Sequence, residues 1–352
     1  DEPHRPQRRR LVTPRIKSLK NDAAGCELEA APRPFRSSLF LIAMLAAILV
    51  LSSLPAEPEY GADAAAVYKT ADDLKNGGTV DLKLHFFLPE GKGERSADGP
   101  LRPGVVFYFG GGWNGGTAGH FAPQARPFAN RGMVAAVAEY RVRSRNGVKA
   151  DGCVRDARDA FHAFRELAEK YRIDPDRIAA GGGSAGGHLA AVCGIVQSFP
   201  DDPQGFQPAD ALLLFNPGVI CAPYRSPTGD TATLDGWMKR GLPAGGDERL
   251  SPIHHLDQND PPTLILHGAD DTTVPARSVT LFQQAAAEQG VRCDLALFAD
   301  AGHGFFNQGR FQGDKGFETT LRLADEFLVS LGWLNDSDDP PGDEPAYRWV
   351  GR

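Results

Sequence analysis

Apolar residues in the chain form short runs that alternate with longer segments of helical spacing. Each run holds four to six residues with few polar interruptions, and such runs are typical of strands buried on both faces of a parallel sheet. An earlier segment, 79–87, alternates polar and apolar residues instead, which predicts a half-exposed antiparallel strand. The predicted buried strands are 105–109, 134–139, 177–180, 211–215, 263–266 and 294–298.

Two segments place apolar residues three and four positions apart, which is the spacing of one face of an amphipathic helix. Because these helices alternate with the strands, the sequence predicts βαβ crossovers. The predicted fold is therefore α/β, with a mostly parallel central sheet flanked by helices on both faces. The helical positions are Val154, Ala157, Phe161, Phe164, Ala168 and Tyr171 in one segment, and Phe317, Leu321, Ala324, Leu328 and Leu331 in the other.

Composition and charge exclude several classes of protein. Charged residues make up 24% of the chain and hydrophobic residues 41%, as in ordinary globular proteins. Residues 1–36 carry nine basic and five acidic side chains, whereas residues 57–352 carry 29 basic and 40 acidic ones. Because residues 57–352, the body of the protein, carry a net negative charge, they argue against a nucleic-acid-binding protein. The cysteines of the body have no metal-ligand spacing, so we expect no metal, and we predict that Cys193 and Cys293 are buried free thiols.

The N-terminal region contains an apolar run, 39–51, that follows Arg36 and precedes small residues. This layout is typical of a secretory signal peptide, and the run is short for a bilayer span of about 20 residues. We therefore predict a disordered basic leader at 1–36 and a signal peptide at 37–56, cleaved after Ala56 or near residues 62–64. The protein would then be exported to the periplasm or the cell exterior without a stable membrane span. An uncleaved N-terminal anchor is the alternative.

The other boundaries follow from composition. Residues 57–334 carry the predicted α/β domain, and the tail, 335–352, is acidic and rich in proline, which predicts a solvated extension. Within the domain, the segment 217–257 is irregular and rich in glycine and proline. We expect this segment to be an insertion that lies over a pocket.

A glycine-rich turn stands between a predicted strand and a helical segment, and it reads Gly182-Gly183-Ser184-Ala185-Gly186. This is G-x-S-x-G in the strand, turn and helix context that exposes a nucleophilic serine at the carboxyl end of a sheet. Glycine-rich turns also bind phosphate, but here no lysine follows as in a P-loop, and the pattern is not G-x-G-x-x-G. The sequence therefore predicts Ser184 as a nucleophile.

A serine nucleophile needs a base, and the base needs an acid that orients it. In the chain order of serine, acid and histidine, Asp271 lies on the loop after the predicted strand 263–266. His303 is the last of the nine histidines and lies between two glycines, where its ring can reach the serine. We predict His303 as the base and Asp271 as the acid, with Asp270 as the alternative acid.

A second glycine-rich loop, Gly110-Gly111-Gly112, follows the predicted strand 105–109. Glycines there let backbone N–H groups turn toward a developing oxyanion that side chains would obstruct. An ordinary tight turn is the alternative interpretation. Trp113, directly after the glycines, is a candidate for the wall of a small acyl pocket, although packing alone would also explain it.

With these motifs in place, the chain resembles the esterase and lipase group of the α/β-hydrolase fold, of the hormone-sensitive-lipase and acetyl-esterase type. The resemblance covers about residues 65–334. One position departs from the pattern, because the family usually has His before the glycines and this chain has Phe109. The shared motifs are GGGW (110–113), AEYR (138–141), DPDRIAAGGGSAGGHLAA (174–191), SPIHHL (251–256), PPTLILHGADDTTVP (261–275) and AGHGF (301–305).

The resemblance implies a serine esterase that needs neither cofactor nor metal and acts on a small-molecule or carbohydrate ester. It implies a catalytic triad of Ser184, Asp271 and His303. It also implies an oxyanion hole made by backbone N–H groups of Gly111, Gly112 and Ala185. The backbone donors do not depend on the side chain at position 109, so we expect catalysis to survive that departure.

The substrate is the least determined part of this interpretation. Predicted export and the closeness of carbohydrate esterases favour short acyl groups, with acetylated sugars as candidates. An arylformamidase-like or peptidase-like hydrolase of the same fold is an alternative. A non-catalytic binding protein on a hydrolase scaffold is another, although the complete triad and glycine loop argue against it.

Overall fold

The structure is a computed structural model that describes residues 55–89, 100–232, 241–336 and 343–351. Its main feature is a ten-stranded sheet, accompanied by a separate two-stranded sheet. The strands are β1 (Pro55–Ala56), β2 (Ala64–Asp72), β3 (Thr79–Phe87), β4 (Arg102–Tyr108), β5 (Val134–Ala138), β6 (Ile173–Gly183), β7 (Ala211–Phe215), β8 (Tyr224–Arg225), β9 (Thr231–Ala232), β10 (Thr263–Gly268), β11 (Cys293–Phe298) and β12 (Tyr347–Gly351).

The strands of the large sheet lie in the order β1-β2-β3-β5-β4-β6-β7-β10-β11-β12. From β5 to β11 neighbouring strands run parallel, whereas β1, β2 and β3 at one edge and β12 at the other are antiparallel. Every residue of β5, β7, β10 and β11 is buried. Successive side chains of a strand point to opposite faces, so both faces of the parallel block are covered. The predicted mostly parallel α/β fold is confirmed, as is the antiparallel strand at 79–87.

Helices occupy the crossovers between these strands. The predicted helical face between 154 and 171 belongs to two successive helices. The first ends at Glu166, and the second ends at Tyr171, just before Arg172, which has left-handed backbone (φ 59°). The predicted C-terminal helix is confirmed. The helices are α1 (Ala122–Asn130), α2 (Arg143–Asn146), α3 (Ala150–Glu166), α4 (Ala168–Tyr171), α5 (Ala185–Ile195), α6 (Ala276–Glu288) and α7 (Lys315–Ser330), with 3-10 turns at Ala118–Phe121, Glu248–Leu250 and Pro252–His254.

The two edge strands of the large sheet, β12 and β1, come from the C-terminal and N-terminal parts of the chain, for which the sequence predicted no strand. The prediction of a solvated C-terminal tail is wrong for β12, which pairs with β11 and places the Tyr347 ring 5.2 Å from that of Phe298. Alternating Tyr347 and Trp349 supply the apolar face that an edge strand needs. At the other end, the predicted leader and the predicted signal peptide up to residue 54 lie outside the described residues. Pro55 and Ala56 pair with β2.

All four cysteines of the body are buried and free, which confirms the prediction for Cys193 and Cys293. Burial raises the pKa of the Cys193 thiol to about 12. These thiols therefore stay protonated and act as small apolar side chains of the core.

A buried arginine fastens α3 to the helix that follows the predicted nucleophile. The guanidinium of Arg158 donates to both carboxylate oxygens of Asp202, at 2.5 and 2.7 Å. It also donates to the carbonyl oxygens of Val192 and Val196, both at 2.9 Å, at the C-terminal end of α5. The ring of Phe206 lies 3.8 Å from the guanidinium carbon. Each polar group of this fully buried side chain therefore has a partner, which is the condition for a buried charge to be tolerated.

We expect Arg158→Met to lower the free energy of unfolding by about 3 kcal/mol, because it leaves Asp202 and two carbonyl oxygens without their donor. The matched control is Arg155→Met on the same helix, since Arg155 is 35% exposed and its ion pairs are longer, at 3.4 and 3.8 Å. That control should cost no more than about 1 kcal/mol. Urea denaturation of both variants measures the difference. Equal losses would contradict the anchoring role of Arg158.

Candidate active site

The chain turns from β6 into α5 at a single residue, Ser184. Its backbone angles are φ 57° and ψ −120°, a combination that residues other than glycine rarely adopt. The turn is held because the N–H of Ser184 donates to the carbonyl of Phe215 at 2.9 Å, and the N–H of His188 donates to the Ser184 carbonyl at 3.0 Å. The strained position places the serine at the carboxyl end of the parallel strands, where the sequence predicts it.

The glycines around Ser184 are required by space. A Cβ at Gly186 would lie 2.1 Å from the carbonyl oxygen of Tyr108, and one at Gly182 would lie 2.5 Å from that of Gly186. At Gly183 a Cβ would lie 2.4 Å from the ring of Phe306. The first two neighbours are backbone atoms, which cannot move aside without displacing a strand or the helix.

The structure brings the three side chains of the predicted triad together. His303 Nε2 lies 2.9 Å from Ser184 Oγ, and His303 Nδ1 lies 2.7 Å from Asp271 Oδ2. Asp271 is 5% exposed and Ser184 8%, whereas the His303 side chain is 24% exposed. In this arrangement the carboxylate can fix the imidazole tautomer while the other ring nitrogen accepts the hydroxyl proton.

The carboxylate of Asp271 accepts hydrogen bonds at both oxygens. Oδ1 accepts from the backbone N–H groups of Thr273 and Val274, each at 2.8 Å, and Oδ2 accepts from His303 and from Asn216 Nδ2, both at 2.7 Å. Burial alone would raise the pKa of Asp271, but the hydrogen bonds from His303 and Val274 outweigh it and hold that pKa below its ordinary value. Asp271 therefore stays ionised beside the histidine.

Asp270, the alternative acid, is exposed at the surface. Its backbone N–H donates to the carbonyl of Ala301 at 3.0 Å, so the main chain of Asp270 joins this loop to the one that carries His303. The register that places Asp271 toward His303 follows from the turn after β10, where the N–H of Asp271 donates to the carbonyl of Gly268.

Asn216 was not predicted from the sequence. It directly follows β7, is fully buried, and has left-handed backbone at φ 45°. Its amide nitrogen donates to the same Asp271 oxygen that His303 contacts. A polar residue at the carboxyl end of a buried parallel strand next to β10 is the signal that could have identified it. Asn216 holds the acid in place without contacting the serine.

Two other histidines near the site are neutral packing residues. His267 Nε2 lies 2.9 Å from the carbonyl oxygen of Val274 and 3.6 Å from Asp271 Oδ2. His188 accepts from the indole nitrogen of Trp113 at 3.2 Å and donates to the carbonyl of Leu250 at 2.6 Å. Burial lowers the pKa of each of these histidines to about 4, so both rings are uncharged near neutral pH.

The second glycine loop, Gly110-Gly111-Gly112, lies beside the serine. A Cβ at Gly110 would lie 3.2 Å from that of Ser184, and Gly111 has φ 129° with the carbonyl of Gly115 only 2.3 Å from its Cβ position. Among the described residues, the structure records no acceptor for the N–H groups of Gly111 and Gly112. The same holds for Ala185, whose N–H lies in the first turn of α5 and has no partner within the helix.

Phe109, at the position where the family usually has histidine, supports the loop through stacking. Its ring lies 4.0 Å from that of Tyr140 at an interplanar angle of 14°, and the Tyr140 hydroxyl donates to the Phe109 carbonyl at 2.7 Å. The aromatic pair fixes the backbone that leads into the glycines, so the loop is anchored without an imidazole at this position.

Ser184 and His303 open into a cavity of about 600 Å³. Gly111 and Gly112 line it, as do the rings of Phe121 and Phe306. The segment 217–257 was expected to lie over this pocket, but within its described part none of its residues lines the cavity. It contains instead the β8–β9 hairpin and the two 3-10 turns at 248–254.

Trp113 does not line the cavity at Ser184, which corrects its assignment as the wall of an acyl pocket. Its side chain is 1% exposed and borders a second cavity of about 180 Å³, on the other side of Gly112. The indole packs edge-on against His188 and closely against Gly241. Its hydrogen bond to His188 ties the glycine loop to α5, so its packing interpretation is the one that the structure favours.

In the part of the chain that the structure describes, one group of side chains has the spacing of metal ligands: Glu59, His85 and Glu139, with ligand atoms within 4.8 Å of one another. Both ring nitrogens of His85 already have partners, namely the N–H of Glu59 at 3.2 Å and Glu139 Oε1 at 3.1 Å. Lys83 pairs with Glu59. The group is a hydrogen-bonded cluster that joins residues before β2 to β3.

None of the helices in the described residues has the length and apolar character needed to span a membrane.

Comparison with known proteins finds two family models that match successive parts of the chain. A family model described as BD-FAE matches residues 92–211, which contain the glycine loop and Ser184. A model described as the prolyl oligopeptidase family matches residues 215–329, which contain Asp271 and His303.

Individual relatives are esterases. Esterase LipQ of Mycobacterium tuberculosis is 28% identical over 59% of this chain and 52% of its own length. Acetylxylan esterase of Xylanibacter ruminicola is 25% identical over 75% of this chain and 50% of its own length. The chain thus spans about half the length of these curated relatives.

The similarity to solved structures covers a larger share of both chains than the similarity to these relatives does. The propionate-bound Est2, a thermophilic esterase from Thermogutta terrifontis, is 39% identical over 80% of this chain and 98% of its own, with a TM-score of 0.68. A butyrate-bound form of the same enzyme matches equally well, with 39% identity and a TM-score of 0.68. The similarity thus extends over nearly the whole of the solved chain.

Proposed function

The chain belongs to the esterases of the α/β-hydrolase fold, and from this premise we propose that it is a serine carboxylic-ester hydrolase with Ser184 as its nucleophile. The observation that carries the proposal is the single imidazole of His303, which lies 2.9 Å from Ser184 Oγ and 2.7 Å from Asp271 Oδ2. A hydroxyl is a weak nucleophile on its own, and this alignment supplies the base and the orienting acid that it needs.

In the proposed mechanism, His303 Nε2 takes the hydroxyl proton as Ser184 Oγ attacks the ester carbonyl. The tetrahedral intermediate collapses when His303 returns that proton to the departing alcohol, which leaves an acyl group on Ser184. A water molecule then attacks the acyl-enzyme, with His303 again as the base, and His303 gives this proton to Ser184 Oγ as the acid is released. Asp271 stays ionised throughout and holds the N–H of His303 Nδ1, because its hydrogen bonds keep its pKa low.

We assign the oxyanion hole to backbone N–H groups of Gly111, Gly112 and Ala185. Donors that point at the developing negative charge stabilise the transition state more than the ground state, and this contribution is often the largest single one. Two observations support the assignment: none of the described residues accepts a hydrogen bond from these N–H groups, and Gly111 and Gly112 line the cavity beside Ser184.

For the substrate we propose short acyl esters, with acetylated carbohydrates as the candidate natural class. The solved relatives bind propionate and butyrate, and one curated relative is an acetylxylan esterase. In the chain itself, Phe121 and Phe306 lie against each other beside Ser184, with ring centroids 5.9 Å apart, and fill space that a long acyl chain would need. Each provides apolar surface for a few methylene groups.

We also propose that the protein is exported, with cleavage after Ala56 rather than near residues 62–64. The support is that residues just after 56 are built into the body: Arg126 pairs with Asp63, and Asp63 accepts from the N–H of Leu88. Cleavage near 62–64 would remove Glu59, whose backbone N–H donates to His85, whereas cleavage after Ala56 would remove, of the described residues, only the two-residue strand β1. N-terminal sequencing of the secreted protein tests this, and a mature end within 62–64, or retention of 39–51, would contradict it.

The proposed function is tested by removing the nucleophile. We expect Ser184→Ala to abolish labelling by a fluorophosphonate probe and to lower kcat/KM for 4-nitrophenyl acetate by about 10³-fold or more. Ser198→Ala, which changes an exposed serine after α5, is the control and should retain both. Near-wild-type turnover by purified Ser184→Ala would refute the mechanism, and absence of labelling in the wild type would favour a non-catalytic binding protein.

The two adjacent carboxylates should differ strongly in their effect on catalysis. We expect Asp271→Asn to lower kcat by about 10³-fold or more, because an amide would favour the wrong tautomer of His303. Asp270→Asn is the matched control, with the same change of charge one residue away, and should stay within about threefold of wild type. Steady-state kinetics with a single ester measures both, and equal losses would contradict the assignment of the acid.

Acyl-chain preference tests the proposed substrate class. We expect kcat/KM to be highest for acetyl to butyryl esters and to fall for longer chains, because each methylene contributes about 0.8 kcal/mol only while apolar space remains. A series of 4-nitrophenyl esters of increasing chain length measures this. A maximum at octanoyl or beyond, or activation by emulsified triglyceride, would indicate a lipase instead.

A further inference from the structure

The cavity at Ser184 carries positive charge in an otherwise acidic body. Arg143 and Arg310 both line it, and among its described lining residues there is no Asp or Glu. Residues 57–352 carry 40 acidic and 29 basic side chains, so a cavity whose described lining has two arginines and no acidic residue differs from the average charge of this part of the chain. A cavity lined by charge of one sign concentrates ligands of the opposite sign.

Arg310 follows His303 on the same short loop. The loop is fixed by two hydrogen bonds to the carbonyl of Gly304, from the backbone N–H of Asn307 at 3.1 Å and from its side-chain amide at 2.9 Å. The N–H of Arg310 in turn donates to the carbonyl of Asn307 at 3.2 Å. For its exposed guanidinium, the structure records neither an ion pair nor a hydrogen bond with any described residue.

Arg143 lies on the wall formed by the glycine loop. Its backbone N–H donates to the carbonyl of Trp113 at 3.0 Å, and its Nε donates to Asn114 Oδ1 at 3.2 Å. Arg143 and Asn114 both line the cavity. The two guanidinium groups thus come from two separate segments: Arg143 from the start of α2, which is hydrogen-bonded to the residues just after the glycine loop, and Arg310 from the loop that carries His303.

We propose that the preferred substrate is an ester of an alcohol that bears a carboxylate, such as an acetylated sugar acid, with the carboxylate held by Arg310 and Arg143. This deepens the proposed function and rests on it. The alcohol side is assigned because His303 protonates the departing alcohol oxygen, so the alcohol lies toward the loop that carries Arg310. Guanidinium groups bind carboxylates through paired hydrogen bonds, a geometry that lysine cannot reproduce.

The test compares two esters of one shape, 4-acetoxybenzoate and its neutral partner 4-acetoxybenzamide. The readout is the ratio of kcat/KM for the anionic ester to that for the neutral one. Dividing the ratio of a variant by that of the wild type cancels the intrinsic reactivity of each ester. We expect Arg310→Gln and Arg143→Gln each to lower the ratio roughly fivefold. In the wild type the ratio should also fall as ionic strength rises.

Arg225→Gln is the matched control, because it removes one positive charge from an exposed residue of β8 outside the cavity. It should leave the ratio within about 1.5-fold of wild type, which separates a local contact from the net charge of the protein. A second pair, monoethyl succinate and ethyl butyrate, places the anion on the acyl side. We expect Arg310→Gln to change the ratio of this second pair less than that of the first.

The outcomes separate this inference from the proposed function. If both acetates are hydrolysed, and the ratio is the same in wild type and both arginine variants, the inference is wrong while the esterase stands. If Arg225→Gln lowers the ratio as much as Arg310→Gln, a site in the cavity is also refuted. If Arg310→Gln changes the ratio of the succinate pair more than that of the acetoxybenzoate pair, the carboxylate does not bind on the alcohol side of the ester. If the wild type hydrolyses no ester faster than Ser184→Ala, the proposed function itself fails.

Discussion

The backbone reverses at Ser184 within one residue, and the rest of the site is arranged around the contact that this creates. The N-terminal turn of α5 lies so close to the end of β4 that Gly186 has no room for a Cβ beside the Tyr108 carbonyl. The same approach brings the loop after β4 to the serine, since the Cβ position of Gly110 is 3.2 Å from that of Ser184. Nucleophile and candidate oxyanion donors are therefore positioned by one packing constraint, and the anchoring of α5 by Arg158 supports it from the far end of the helix.

Among the buried titratable groups around the triad, the charged one is the carboxylate that the mechanism needs. Asp271 is ionised and fully hydrogen-bonded, whereas the nearby rings of His188 and His267 are neutral because burial lowers the pKa of each to about 4. A second imidazolium beside Asp271 would compete with His303 for that carboxylate. Burial prevents this, and it leaves the acid with one histidine partner that is open to the cavity.

The elements that were predictable are those whose signal is local. The central strands appear as apolar runs, and the nucleophile, base and acid stand in fixed order after strands, so periodicity and motif place them. Elements with a weak local signal were missed: α1 contains Pro123 and Pro127, and β12 follows an acidic stretch that dominates the composition of the tail. Asn216 could not be assigned because its role depends on β7 and β10 being neighbours, which is a property of the sheet order.

The orientation of the Trp113 side chain is another feature that could not be predicted from the sequence. The sequence places it beside the oxyanion loop but does not decide whether the indole faces the serine or the core. The choice is made by His188, a residue 75 positions later that accepts the indole hydrogen bond, and by the absence of a side chain at Gly241. Long-range partners of this kind decide orientation, and a single sequence does not reveal them.

The C-terminal strand has a consequence for how the folded protein behaves at high concentration. Without β12, the fully buried strand β11 would form the edge of the sheet and present a row of unpaired N–H and C=O groups next to apolar side chains. Such an edge is a template for pairing with another copy of the chain. Because β12 covers it with a strand that carries Arg348 and is only partly buried, the last residues of the chain protect the enzyme against aggregation through its own sheet.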